Sequence, residues 1–231
     1  MIRGFAILLM FIYHFSWDLT YFRFADFGIV TDPYWIWFAR FIAGLILLVM
    51  GMGQAIAFEQ GFNRKKFFKR LAIISTSAAA VSLATYQIDP ATFVFFGILH
   101  HIALASIVLA LALYLPTSTL ITLAVVCLAA PQFFTHQIFF VEWLWWVGLS
   151  PVTPLTIDYV PVLPWLGVSL LGAIIAREYR DHASLTTLLT WQPRHPASRL
   201  VYFAGRHSLV LYLVHQPVLF GGVYLAFTLT T

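Results

Sequence analysis

The stretch Arg3-Gly4-Phe5-Ala6-Ile7-Leu8-Leu9-Met10-Phe11-Ile12-Tyr13-His14-Phe15-Ser16-Trp17-Asp18-Leu19 decides the class of this chain. It lies in an apolar segment, 4–22, of about 20 residues, the length that crosses the hydrocarbon core of a bilayer as a helix. No small-residue cleavage site follows it, so a retained first helix is expected and not a cleaved signal peptide. Working outward, further apolar runs of spanning length lie at about 35–58, 71–87, 94–114, 117–133, 160–177 and 201–229. Another hydrophobic stretch, Ile138 to Leu149, covers only about 12 residues, which suits a re-entrant or interfacial piece better than a span. The expected fold class is all-α: a polytopic transmembrane helix bundle with about seven spanning helices plus that short segment, forming a single domain over 1–231.

Composition supports the same class. Hydrophobic residues make up 61% of the 231 and charged residues 10%, against roughly 45–50% and about 25% in soluble chains. The mean hydropathy is +0.87. So few charges cannot cover the exterior of a water-soluble fold, which excludes a soluble enzyme, a disordered chain and a conventional nucleic-acid-binding domain. The lone cysteine, Cys127, excludes an internal disulfide and a multi-cysteine metal site. It sits in an apolar run and reads as a buried structural thiol.

The net charge of +4 matters less than its placement. With seven helices, Arg3, the loop bases Arg64, Lys65, Lys66, Lys69 and Arg70, and Arg177, Arg180, Arg194, Arg199 and Arg206 fall on one side. Those are eleven of the thirteen bases, so that side is expected to be cytoplasmic. Asp26, Asp32, Asp89, Glu142 and Asp158 fall on the other side. So do seven of the eight tryptophans, as in an aromatic belt. The N-terminus is expected inside and the C-terminus outside.

Ionisable groups within spans are costly and mark candidate sites. His14 and Asp18 are four residues apart on one helical face, where a carboxylate can fix an imidazole's tautomer. His14 lies eleven residues from Arg3, roughly 16 Å along a helix and near mid-membrane. His100 and His101 lie about two turns into the fourth run. His215 and Gln216 lie near the middle of the last run, before Pro217, and Arg40 opens the second run from the outer side. These depths suggest a polar chamber in the outer half of the membrane. A helix-packing hydrogen bond is the competing reading for His101 and for His215, and topology alone accounts for the basic loop at 64–70. A histidine metal site from His14, His100 and His215 has no motif spacing to support it, so no metal is expected.

The Arg3–Met10 stretch with His14 and Asp18-Leu19 resembles the opening of the heparan-alpha-glucosaminide N-acetyltransferase catalytic-domain family. Further points of likeness are Phe96-Gly97-Ile98-Leu99-His100 with Ile102-Ala103, and Asp158-Tyr159-Val160-Pro161 through Leu163-Pro164-Trp165-Leu166-Gly167. Gly205 with Ser208-Leu209 and Tyr212-Leu213-Val214-His215-Gln216-Pro217 completes the set, so the likeness runs from residue 3 to about 217. The chain departs from the lysosomal pattern in having no histidine in 23–34, which makes His14 the counterpart in kind of that enzyme's essential histidine.

The resemblance implies transfer of an acetyl or similar acyl group from cytoplasmic acyl-CoA to an extracytoplasmic sugar-type acceptor, in the cytoplasmic (inner) membrane of a bacterium. On that reading His14 is the general base or transient acyl acceptor and Asp18 orients it. Arg40, His100, Asp158, His215 and Gln216 contact the substrate, His100 or Arg40 stabilising the oxyanion. The CoA phosphates rest near Lys65, Lys66, Lys69 and Arg70, and the acceptor enters beneath the aromatic segment 138–149. Expected partners are the lipid bilayer, acetyl-CoA or another acyl-CoA, and a glycan or other acceptor, with no nucleic acid and room for a homo-oligomer. Two other classes fit the same residues: a proton-coupled small-molecule transporter and a non-catalytic membrane subunit.

Overall fold

The structure is a computed structural model that describes residues 1–179, 193 and 195–230. Arg180 and Arg194, which enter the charge tally above, lie outside the described residues. The helices are α1 (Ile2–Tyr21), α2 (Pro33–Glu59), α3 (Arg64–Ile88), α4 (Ile98–Ala112), α5 (Thr117–Phe133), α6 (Val162–Glu178), α7 (Pro196–Arg206) and α8 (Ser208–Thr230). Among the described residues there is no strand, only an isolated parallel bridge between Phe96 and Tyr159. The fold is all-α.

Among the described residues four helices, α1, α2, α3 and α8, are long and apolar enough to cross a bilayer. The 15 residues of α4 and the 17 each of α5 and α6 reach only about 22–26 Å at 1.5 Å per residue, short of the ~30 Å hydrocarbon core. Each of the apolar runs is nevertheless helical over most of its length. The stretch 138–149 forms two short 3-10 turns, Gln137–Phe140 and Glu142–Val147, neither long enough to span. The run 201–229 is divided: His207, at φ −104° and ψ 23°, leaves helical geometry between α7 and α8. The polar sequence Gly205-Arg206-His207-Ser208 brings too little apolar surface to extend the span upstream.

The chain forms two compact units, 1–46 with 190–231 and 47–189. In the first, Ile7, Met10, Ile42 and Ala204 form a buried core, with Phe11, Tyr13, Phe38 and Leu211 packed on it. Gly4 and Gly205 let α1 and α7 touch backbone to backbone, because a Cβ on Gly4 would lie 1.8 Å from the Val201 carbonyl oxygen. Arg3 Nε donates to the Gly205 carbonyl across the same crossing, at 2.7 Å. The Arg-Gly pair that opens the sequence is thus a helix-crossing device. The turn into α2 ends on Asp32, whose carboxylate accepts from Tyr34 N–H at 2.8 Å, with Pro33 at the first helical position.

In the second unit, Gly51 on α2 and Gly172 on α6 meet the opposing helix's backbone: added Cβ atoms would lie 1.9 Å from the Ser169 oxygen and 2.0 Å from the Leu48 oxygen. The residues leading into α4 pair with those leading into α6. Ile157 N–H donates to Thr92 O at 2.9 Å, Val160 N–H to Phe96 O at 3.1 Å, and Thr156 Oγ1 to Phe93 O at 2.6 Å. These bonds satisfy backbone groups that the short α4 leaves outside its own ladder. At the far end Arg177, in the last turn of α6, donates to the carbonyls of Leu113 and Leu115 just past α4. A carboxylate from the segment before α6 (Asp158, below) sits at the start of α4 and a guanidinium at its end, the signs that suit a helix dipole.

Candidate functional site

The first unit holds the polar cluster, on the facing surfaces of α1 and α8. The rings of His14 and His215 are 4.7 Å apart between centroids, with Phe11 and Tyr212 also against His215. His215 Nδ1–H donates to the Tyr212 carbonyl one turn back on its own helix. That bond fixes the tautomer and leaves Nε2 as a lone pair. Asp18 is fully buried, and its Oδ1 accepts from Gln216 Nε2 at 2.9 Å. Among the described residues neither Asp18 oxygen bonds to His14. The pair that shares a face of α1 is engaged across the helix crossing instead, Asp18 with Gln216 and His14 with His215.

Among the described residues, three buried atoms here find no hydrogen-bond partner: Asp18 Oδ2, His215 Nε2 and Gln216 Oε1. An imidazole lone pair, an amide oxygen and an ionised carboxylate oxygen all accept hydrogen bonds. Leaving such atoms unsatisfied costs about 1–3 kcal/mol each, and hydroxyl or amine groups are donors of the kind that can satisfy them. Above it, one turn towards the end of α1, Trp17 stacks on Tyr21 at 5.2 Å, and Tyr21 and Phe22 meet Phe220 of α8. Arg40, on α2 in the same unit, is exposed and lies 5.0 Å over the ring of Trp37.

The other expected residues fall in the second unit. His100 and Asp158 come together at the head of α4. Asp158 Oδ2 accepts from Ile98 N–H at 2.9 Å and packs on Gly97, where a Cβ would lie 2.2 Å from that oxygen. His100 Nδ1 accepts from Gly97 N–H at 3.3 Å. Its Nε2–H donates to Ser82 Oγ at 3.1 Å, which donates in turn to the Val94 carbonyl at 2.6 Å. With both ring nitrogens engaged, His100 secures the start of α4 in this structure. It also lines an open cleft of about 280 Å³ between α3 and α4, with Ser75, Ala79, Ala103 and Ile107.

Lys65, Lys66 and Lys69 are exposed in the first two turns of α3, which Asn63 caps by accepting from Lys66 N–H at 3.0 Å. No acid stands in that first turn, so exposed cations and the helix's N-terminal dipole act together on any anion. Arg70 is tied inward. It donates to Gln54 Oε1 at 3.3 Å, and Gln54 Nε2 donates to the Ser106 carbonyl at 3.1 Å. Sequence reasoning missed Gln54, 4% exposed inside the apolar run 35–58, although a polar residue within a span was itself the signal. It also missed Ser82, which no spacing connects to His100. His101 is buried, with Nδ1–H on the Pro161 carbonyl at 3.2 Å and Nε2 without a partner among the described residues. Outside the spans, burial pushes the Tyr159 phenol up to about 12 while it donates to the Trp145 carbonyl at 2.7 Å.

No group of three or more metal-ligating side chains occurs among the described residues. Comparison with curated proteins and with solved structures finds no match. The family model for heparan-alpha-glucosaminide N-acetyltransferase, catalytic, matches residues 1–217, from the Arg-Gly crossing of α1 through the His215-Gln216 turn of α8. The chain is an integral membrane protein, and it belongs to that family of membrane acetyltransferases.

Proposed function

We propose that the protein moves an acetyl or similar acyl group from cytoplasmic acyl-CoA to a hydroxyl or amine of an extracytoplasmic, sugar-type acceptor. The observation that carries this reading is the cluster of buried, unpartnered acceptor atoms on α1 and α8 beside paired imidazoles. An acceptor molecule's donors satisfy those atoms. His215 Nε2, with its other nitrogen already held, takes the proton as the nucleophilic oxygen or nitrogen attacks the thioester carbonyl. The C–S bond then breaks, and the CoA thiolate leaves with that proton. His14, in ring contact with His215, shares the base role or carries the acyl group in passing. Asp18 and Gln216 hold the acceptor's remaining donors.

Lys65, Lys66 and Lys69 suit the CoA phosphates, and Arg40 supplies positive charge for an oxyanion or a charged acceptor. His100 and Asp158 contribute by fixing the head of α4. The side bearing eleven of the thirteen bases faces the cytoplasm on this reading, in a bacterial inner membrane, with the C-terminus outside and the whole chain acting as one catalytic domain.

The test uses protein in nanodiscs with radiolabelled acetyl-CoA, comparing wild type with His14→Ala, His215→Ala and Asp18→Asn. Each sample is checked for its folded size and for acetyl-CoA binding. Thioester cleavage or label transfer lost in the histidine variants, with folding intact, supports the reading. Turnover that survives in both histidine variants overturns the site, and folded wild type that neither binds nor cleaves acetyl-CoA overturns the donor. A second reading, proton-coupled transport, is favoured by one feature, a buried Asp18 that no cation pairs with among the described residues. Solute flux that needs Asp18 and not acyl-CoA would carry it.

A further inference from the structure

The helix α7 reads Pro-Ala-Ser-Arg-Leu-Val-Tyr-Phe-Ala-Gly-Arg and contains no acid. At about 100° per residue, Ser198, Val201, Ala204 and Gly205 share one side, and these are its buried or half-buried positions. The opposite side divides lengthwise. Arg199, Tyr202 and Arg206 make one edge, with the Arg206 guanidinium 6.0 Å over the Tyr202 ring. Leu200 and Phe203 make the other, 59% and 53% exposed. A helix with a packed side, an apolar edge and a cationic edge has the form of a helix lying in a membrane interface.

Its position agrees. The C-terminal half of α7 touches the first turn of α1 through Gly4 and Arg3, and α8 begins one residue beyond it. Two membrane-length helices therefore start where α7 lies, which sets α7 at the level where hydrocarbon meets headgroups. We infer that α7 is a membrane-surface helix that docks on anionic phospholipid headgroups through Arg199 and Arg206, with Leu200 and Phe203 inserted among the acyl chains. Charge complementarity commits the partner: two guanidiniums without a neighbouring acid on α7, at a boundary where an anionic leaflet enriches counter-charge roughly fivefold per arginine. Guanidiniums also suit phosphate geometrically. The inference depends on the membrane reading alone and stands apart from acyl transfer.

The experiment uses the full chain with Cys127→Ser and Leu200→Cys, the new thiol carrying an environment-sensitive fluorophore, in phosphatidylcholine nanodiscs. Doxyl-labelled phosphatidylglycerol or doxyl-labelled phosphatidylcholine is added at equal mole fraction. The expected result is an apolar emission spectrum and severalfold stronger quenching by the anionic lipid. Arg199→Gln with Arg206→Gln should equalise the two quenchers, Arg199→Lys with Arg206→Lys should retain the preference, and Arg64→Gln should leave it intact. Equal quenching in the parent protein, or a preference that persists in the double glutamine variant, overturns the inference. So does a water-exposed spectrum, which would leave α7 free for a soluble partner. Loss of the preference on adding inorganic phosphate, beyond that caused by chloride of equal ionic strength, would mean that free phosphate is the ligand and also overturns it.

Discussion

Replacing Gly172 with alanine tests how α2 and α6 are held together. The new Cβ would stand 2.0 Å from the Leu48 carbonyl oxygen, 2.8 Å from its carbon and 3.1 Å from its Cα. Ordinary contact begins at 3.4 Å, so the two backbones must separate locally by about 1.4 Å. All three atoms are helix backbone and cannot rotate aside as a side chain would. A gap of 0.5–1 Å already forfeits a quarter to a half of each dispersion contact, and overpacking of this kind costs typically 1–3 kcal/mol. Alanine's better helix propensity returns about 1 kcal/mol. With rigid backbone on both sides the overpacking cost falls in the upper part of its range, so the net loss is on the order of 1–2 kcal/mol, or a fall in Tm of about 2–8 °C for a chain of this size.

Gly51→Ala meets Ser169 at 1.9 Å from the other side of the crossing and should lose a similar amount. The double variant should lose less than the two together, because helices already parted accommodate the second methyl. The control is Gly53→Ala, two residues along α2, where nothing lies within 4 Å. There only the propensity gain remains, so Tm should hold or rise. The assay is thermal unfolding in one detergent, followed by tryptophan fluorescence. If Gly172→Ala and Gly51→Ala melt at or above wild type, or if Gly53→Ala is as damaging as either, the close crossing is refuted.

Three further expectations concern helix and turn ends. Asp158→Ala removes the acceptor at Ile98 N–H and should cost about 0.5–2 kcal/mol, while Asp158→Asn should keep most of it. Arg177→Gln should cost a similar amount at the other end of α4, both read as shifts in Tm in detergent. Asp89 is half-buried in the turn after α3, where the Thr92 hydroxyl at 2.6 Å and the Ala91 N–H at 3.0 Å hold its carboxyl below the usual carboxylate range. The unfolded chain binds that proton more readily, so this stabilisation is present above the ordinary aspartate value near 4 and is lost as pH falls through the lower folded value. Asp89→Asn should flatten that acid-side decline in stability, and an unchanged slope would contradict the turn.

The sequence carried the helices because their cause is local: length and apolarity against a bilayer. It carried the shortness of 138–149 for the same reason. The spacing of His14 and Asp18 correctly put both on one face of α1, but which atoms they meet is decided by α8, and no spacing within α1 reports that Gln216 takes the carboxylate and His215 the imidazole. Asp158 could be read as a charge near a boundary, while its capping of Ile98 depends on the chain returning to α4 across a separation of 60 residues. The glycines show the limit most directly. Gly51 and Gly53 are indistinguishable by composition, yet one faces α6 at contact distance and the other faces open space.

The charges at the two ends of α4 also bear on how the chain enters the membrane. Both come from residues made later: the acid from just before α6, the guanidinium from its last turn. A nascent chain that has emerged only as far as α5 therefore carries a 15-residue apolar helix with neither end capped from outside and too short to cross alone. Its stable seating awaits α6, so insertion of this unit proceeds by returning to complete an earlier segment. Chains released before residue 177 should be caught by membrane quality control with α4 exposed, whatever the state of the helices upstream.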